Sequence, residues 1–236
     1  MPRKSLPLLT FAALAILLLV ALAALARPLL ENDRYLPLVS RSPLPTATQT
    51  TAVIIDHLAV PVFPAIPASA RLAAIEMRIL VRHASVGENI SDGLDCLAGD
   101  YPTPPGCESY TPGTYDRSNW DYQPRGNPGW LAKIQDLVDQ TALQQDDFDA
   151  FTMKFCYIDA LGDDSPDWAT YRDAMLQLES DSPAKTFIWW TVPLTSGGNP
   201  GADEFNALVR AYAREHGKIL FDIAAIESHD PAGSPV

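Results

Sequence analysis

Met77–Asn89, MRILVRHASVGEN, joins an apolar run with strand character to a short helical pattern through His83-Ala84-Ser85-Val86-Gly87. A serine at a strand-to-helix corner is placed for nucleophilic attack. The strand end carries its hydroxyl to the mouth of a sheet, and the first free N–H groups of the helix face whatever binds there. This is half of an acyl-transfer site; the other half, a histidine with an orienting acid, has to come from elsewhere in the chain. The alternative role for Ser85 is that of a helix N-cap, a position serine favours.

Outward from this stretch, short apolar runs alternate with helical patterns from Glu76 onward, which predicts a parallel α/β sheet. Strands are expected over 77–82, 150–156, 186–192 and 219–224. Asn127-Pro128, Ser165-Pro166 and Asn199-Pro200 each read as an N-cap followed by proline at the first helical position. The apolar faces that follow are Trp130, Ile134, Leu137 and Val138; Trp168, Tyr171, Met175 and Leu178; and Phe205, Leu208, Val209 and Tyr212, with Gly217 as the natural stop. Three such crossovers define a doubly wound α/β sheet with helices on both faces. Residues 99–126, rich in Tyr, Pro, Gly and Asp, fit no element and read as an ordered loop over one sheet edge. That loop has room for a further strand, and it serves either as a substrate wall or as packing support.

The chain has 236 residues, 47% apolar and 19% charged, which suits one domain with extensions. Its net charge is -12 and its basic residues cluster only at Arg3-Lys4, which argues against a nucleic-acid partner. Residues 11–26 contain no polar side chain, and from Leu8 to Ala26 a helix would nearly span the ~30 Å hydrocarbon core of a bilayer. Residues 1–26 are therefore read as a membrane anchor, with a cleaved signal peptide as the alternative because Ala24-Leu25-Ala26 has the small-x-small form. The preceding positive charge predicts a cytoplasmic N-terminus and an exported domain. Removing those residues, with their two basic groups and no acid, takes the charge to -14. Residues 27–74, with prolines at short intervals, are expected to form a stalk or linker whose VFPAI portion lies against the domain as an extended strap, leaving 75–236 as the α/β domain.

Cys96 and Cys107 bracket a Pro/Gly-rich segment and are candidates for a disulfide worth ~2 to 3 kcal/mol. Cys156, in the apolar run FTMKFCYI, reads as a buried free thiol. Neither the cysteine spacing nor the histidines suggest zinc, and no cofactor motif occurs. In an open parallel sheet ligands collect at the carboxyl ends of the strands. That rule selects His83 and Ser85, then Tyr157 and Asp159, then Thr195, Ser196 and Asn199, and finally the region Glu227 to Asp230, with Asn127 at the same rim.

The order and placement of these residues resemble the SGNH/GDSL hydrolase superfamily, flavodoxin-like domains that hydrolyse esters with a serine directly after the first strand. The resemblance covers about 160 residues from Met77 onward, and His83-Ala84-Ser85 stands where that family has Gly-Asp-Ser. It implies Ser85 as nucleophile, with its own N–H in the oxyanion hole and Gly126 and Asn127 as the candidates to complete it; for Asn127 a helix cap is the alternative. Two departures matter. The family's Gly-x-Asn-Asp falls near Phe155-Cys156-Tyr157-Ile158-Asp159, where the asparagine is missing and Asp159 is either a loop-fixing acid or a polar site group. An anionic carboxylate opposes an oxyanion and does not replace it. The family's late Asp-x-x-His is also absent.

His229, in IESHDP, is the histidine nearest the expected place for a catalytic base; a solvated turn before Pro231 is its alternative. His83 is a candidate substrate contact or auxiliary base, while His57 and His216 read as structural. Only 12 residues follow Ala224, too few to cover a final strand, so the acid and histidine are expected beyond Val236. The leading expectation is an exported serine esterase acting on a small or carbohydrate ester. The alternative is a membrane-tethered binding module that has lost catalysis, with Trp120, Tyr122 and Trp130 available to stack on sugars.

Overall fold

The computed structural model describes residues 51–98, 118–161, 165–195, 198–230 and 232–236. Among these, six strands form one all-parallel sheet: β1 (Val53–Ile55), β2 (Ile79–His83), β3 (Trp120–Pro124), β4 (Ala150–Met153), β5 (Thr186–Trp190) and β6 (Ile219–Phe221). Their spatial order is β1-β6-β5-β4-β2-β3. The α-helices are α1 (Ala68–Ile75), α2 (Val86–Ala98), α3 (Trp130–Gln144), α4 (Trp168–Asp181), α5 (Pro200–Glu215) and α6 (Ile223–Ser228).

Alternation along the strands creates two cores. Ile79, Val81, Ile188 and Trp190 point to one face, where α1, α2 and α6 contribute Ala70, Ala74, Ile90, Leu94, Ile223 and Ile226. Leu80, Phe151, Phe187 and Trp189 point to the other, under Ile134, Tyr171, Met175, Phe205 and Val209 of α3, α4 and α5. Successive strand side chains leave opposite faces of a sheet, so strands covered on both sides read as continuous apolar runs. The result is the expected three-layer α/β architecture.

Three expectations need correction. The segment read as linker up to residue 74 belongs to the fold from residue 53: it supplies edge strand β1, a 3-10 helix over Val60–Ala65 and α1. Its prolines fall where no ladder donor is lost, Pro61 in the first turn of the 3-10 helix and Pro67 at the N-cap of α1. The same segment covers the last strand: Val60, Phe63, Ile66 and Ala70 share a core with Phe221, and β6 ends at Phe221 rather than running to 224. Cover for the final strand thus comes largely from before β2, joined by Ile223 and Ile226 of α6.

The segment 99–126 ends in a true strand, β3, which pairs with β2 from Ile79–Trp120 to His83–Pro124. Residues 99–117 lie outside the described residues, as do Cys107 and the side chain of Cys96, and with them the expected disulfide. Residues 1–50, with the expected anchor or signal, and Ser196 also lie outside. Among the described residues no helix is long and apolar enough to cross a membrane.

Helix starts follow the strongest cap. Asn199 behaves as expected, accepting from Ala202 N with Pro200 next. For α4 the carboxylate of Asp167 captures Thr170 N at 2.7 Å, so the helix starts at Trp168 rather than Pro166. For α3 the N-cap is Gly129 rather than Asn127, four residues after Arg125 N makes the last bond to β2, to His83 O at 2.9 Å.

Candidate functional site at the carboxyl edge of β2 and β4

Between His83, the last residue of β2, and Val86, the first of α2, the chain turns in two residues. Ser85 takes φ 55°, the only non-glycine positive φ among the described residues, and its side chain is exposed. A left-handed serine costs roughly 1 to 3 kcal/mol and persists only where the surroundings impose it. Two short backbone bonds impose it here: Gly87 N to Ala84 O at 3.1 Å and Glu88 N to Ser85 O at 2.7 Å.

Gly87 makes the corner possible. A Cβ there would overlap His83 Cβ and come within 2.9 Å of Cγ and Nδ1 of the same ring. Gly87→Ala is therefore expected to destabilise the domain by ~1 to 3 kcal/mol through overpacking. A urea titration showing a wild-type midpoint for this variant would contradict the contact.

His83 is 2% exposed, its ring edge-on to Tyr122 at 5.5 Å. Burial pushes its pKa below the ordinary 6.5, so the imidazole is neutral at pH 7. Its Nδ1 is buried without a hydrogen-bond partner, with Glu88 Oε2 at 3.8 Å.

One strand over on either side lie groups that sequence reading does not single out. After β3, Arg125 turns its side chain inward and donates from Nη2 to Lys154 O at 2.5 Å. After β4, Lys154 is fully buried; its ammonium donates to Phe155 O at 3.1 Å and lies 3.7 Å from Cys156 Sγ. Burial pushes the Lys154 pKa down to about 8. Cys156, a buried free thiol as expected, sits 3.8 Å from Ala84 O, directly behind the Ser85 corner. A lysine interrupting an apolar strand in a sheet covered on both faces is the available signal, since solvent cannot reach it there.

Asp159 plays its loop-fixing part. Its Oδ2 accepts from Cys156 N at 2.6 Å and pairs with the buried ammonium of Lys133 on α3. With its side chain only 3% exposed, it is corrected from substrate group to scaffold. Gly126 and Asn127 are exposed on the loop after β3, beside β2 on the same rim as Ser85. Asn127 does not cap α3, whose N-cap is Gly129.

His229 is not brought to Ser85. Its ring stacks on His57 at 4.5 Å, and Nδ1 lies 2.8 Å from Ser228 Oγ. That pair sits beyond β6 and β1, and three strand spacings separate β6 from β2, about 14 Å in a sheet of this kind. Its neighbour Glu227 does turn toward the site: Oε2 accepts from Leu194 N, after β5, at 2.7 Å.

Burial raises the Glu227 pKa to about 7 from 4.5. A carboxyl whose folded pKa lies above its unfolded value stabilises the fold fully below pH 4.5, and this contribution disappears as the pH rises through 7. Glu227→Gln should therefore remove a loss on the order of 2 to 3 kcal/mol between about pH 5 and 8. Denaturation curves at the two pH values, wild type against variant, read this difference; equal slopes in both proteins would rule it out.

Among the described residues no group of three or more His, Cys, Asp or Glu side chains could hold a metal ion. The arrangement is thus an exposed, strained serine at a helix N-terminus, with a neutral imidazole before it and buried cations behind it. No family model matches the chain, and searches of curated proteins and of solved structures likewise find nothing similar.

Proposed function

We propose that the domain is an exported serine-dependent ester hydrolase, and the observation that carries this reading is the left-handed Ser85 at the β2–α2 corner. Ser85 Oγ attacks the ester carbonyl, a neighbouring base takes its proton, and the Ser85 N–H at the head of α2 stabilises the tetrahedral oxyanion. His83 is the base favoured by its environment, being neutral at pH 7 with an unpartnered Nδ1. The strand order supports the resemblance to SGNH/GDSL hydrolases: without edge strand β1, β3-β2-β4-β5-β6 is the flavodoxin-like order. The catalytic serine of that family follows the strand that β2 represents. Export, by anchor or signal, rests on the apolar segment 11–26.

The remoteness of His229 favours a second reading, a tethered binding module on the same sheet. Covalent labelling by a fluorophosphonate separates the two. Labelling that disappears in Ser85→Ala, with a rate that falls in acid as His83 protonates below the ordinary histidine range, is expected of the hydrolase. A folded wild-type protein that stays unlabelled from about pH 6 to 9 is the outcome of the binding module.

A further inference from the structure

We propose that the ligand of the Ser85 site carries an oxyanion group, a carboxylate or a sulfate, held by Arg125 and Lys154. The proposal rests on the ester-hydrolase reading and extends it by naming its substrate class, and its binding half is measurable without turnover.

The charge inventory behind Ser85 runs against the rest of the molecule. The chain carries a net charge of -12, yet Arg82, Arg125, Lys133 and Lys154 converge at the carboxyl edge of β2, β3 and β4. Two of them are matched. Arg82 makes a bidentate pair with Asp136 at 2.8 and 2.9 Å, and Lys133 pairs with Asp159.

The other two are matched less closely. Asp136, already committed to Arg82, comes no nearer than 4.0 Å to Arg125, whose Nε is buried without a hydrogen-bond partner. Among the described residues Lys154 makes no ion pair; a carbonyl and a thiol are the partners of its ammonium. Of the other acids on this side, Glu227 turns its Oε2 to Leu194 N, within electrostatic reach of Lys154, and Glu88 lies 3.8 Å from His83 Nδ1.

Burying an ammonium and a guanidinium without close counter-ions carries a large desolvation penalty per ion, and a bound anion offsets part of that cost. The place is next to the reacting atoms. Arg125 N is bonded to His83 O, and Cys156 Sγ links Lys154 to Ala84 O in two contacts of 3.7 and 3.8 Å. The N-terminus of the 13-residue α2 adds its positive end to the same spot, and the buried, unpartnered Nδ1 of His83 packs against that first turn. Arginine's fork and lysine's point charge together suit a planar carboxylate or a tetrahedral sulfate.

The test uses the full chain and three probes by titration calorimetry: monomethyl succinate, inorganic sulfate and neutral dimethyl succinate. The anions are expected to bind at least about tenfold more tightly than the neutral diester. Arg125→Gln and Lys154→Met should each erase that preference. Lys154→Met keeps the side-chain volume and removes a buried charge, so it is expected to fold, which circular dichroism checks. Sulfate bound more tightly than monomethyl succinate marks a carboxylic ester whose substrate also carries a sulfate group, and the reverse order one that carries a carboxylate.

In parallel, kcat/KM for 4-nitrophenyl hemisuccinate should exceed that for 4-nitrophenyl acetate by about tenfold in wild type and by nothing in the variants. Anion binding lost in both variants, but with neither ester hydrolysed, upholds the oxyanion site and refutes the hydrolase. Turnover of both esters at equal rates without anion binding does the opposite. Anion binding that survives both substitutions overturns the assignment to Arg125 and Lys154.

Discussion

Ser85→Ala is expected to lower kcat for 4-nitrophenyl acetate by roughly 10^4- to 10^6-fold, the range seen when the nucleophile of a serine hydrolase is removed. The loss is expected to fall on kcat, because the hydroxyl forms its new bond only on the way to the tetrahedral state. Stability should move by less than about 1 kcal/mol, since Ser85 is exposed and the alanine inherits nearly the same backbone cost. Ser85→Gly sharpens the test. Glycine is at home at φ 55°, so this variant should be more stable than wild type by ~1 kcal/mol while being equally inactive. Gain of stability with loss of activity is the signature of a residue held strained for its chemistry. A Ser85→Gly protein that keeps its turnover would remove Ser85 from the reaction.

Asp159→Ala is expected to be the most damaging single change to the fold, at ~3 to 5 kcal/mol. The carboxylate serves two buried donors at once, the Lys133 ammonium and Cys156 N. Its removal leaves a fully buried charge without its counter-ion and a turn without its brace. Against a total stability of ~5 to 15 kcal/mol, such a loss unfolds a sizeable fraction of the protein near body temperature. Urea denaturation reads it as a lower midpoint with an unchanged slope. Lys133→Met with Asp159→Asn should recover most of the loss, because the pair is then replaced rather than broken. An Asp159→Ala protein of normal stability but altered KM would restore the residue to the substrate site.

Part of this site is legible in the order of the residues. The corner at His83-Ala84-Ser85 can be read because an apolar strand pattern ends there and a helical one begins, both local signals. Asp159 is singled out by its place after β4, but whether it braces a loop or faces the ligand depends on Lys133, 26 residues earlier on another element. His229 is suggested only by its position late in the chain. In the fold its ring stacks on His57 and its Nδ1 meets Ser228 Oγ. Arg125 is inconspicuous in a polar loop, and Lys154 stands out only as a charge in an apolar run, which does not announce its partners.

The alternation of apolar strands with capped amphipathic helices, and hence a parallel α/β sheet with Ser85 at a strand end, is determined by sequence alone, because periodicity and turn chemistry act over a few residues. Tertiary structure alone decides that residues 53–75 close the fold, that the turn drives Ser85 to φ 55°, and that two buried cations without close counter-ions stand behind it. Those features come from contacts between elements distant in the chain, where burial decides what a charge costs and which backbone angles survive.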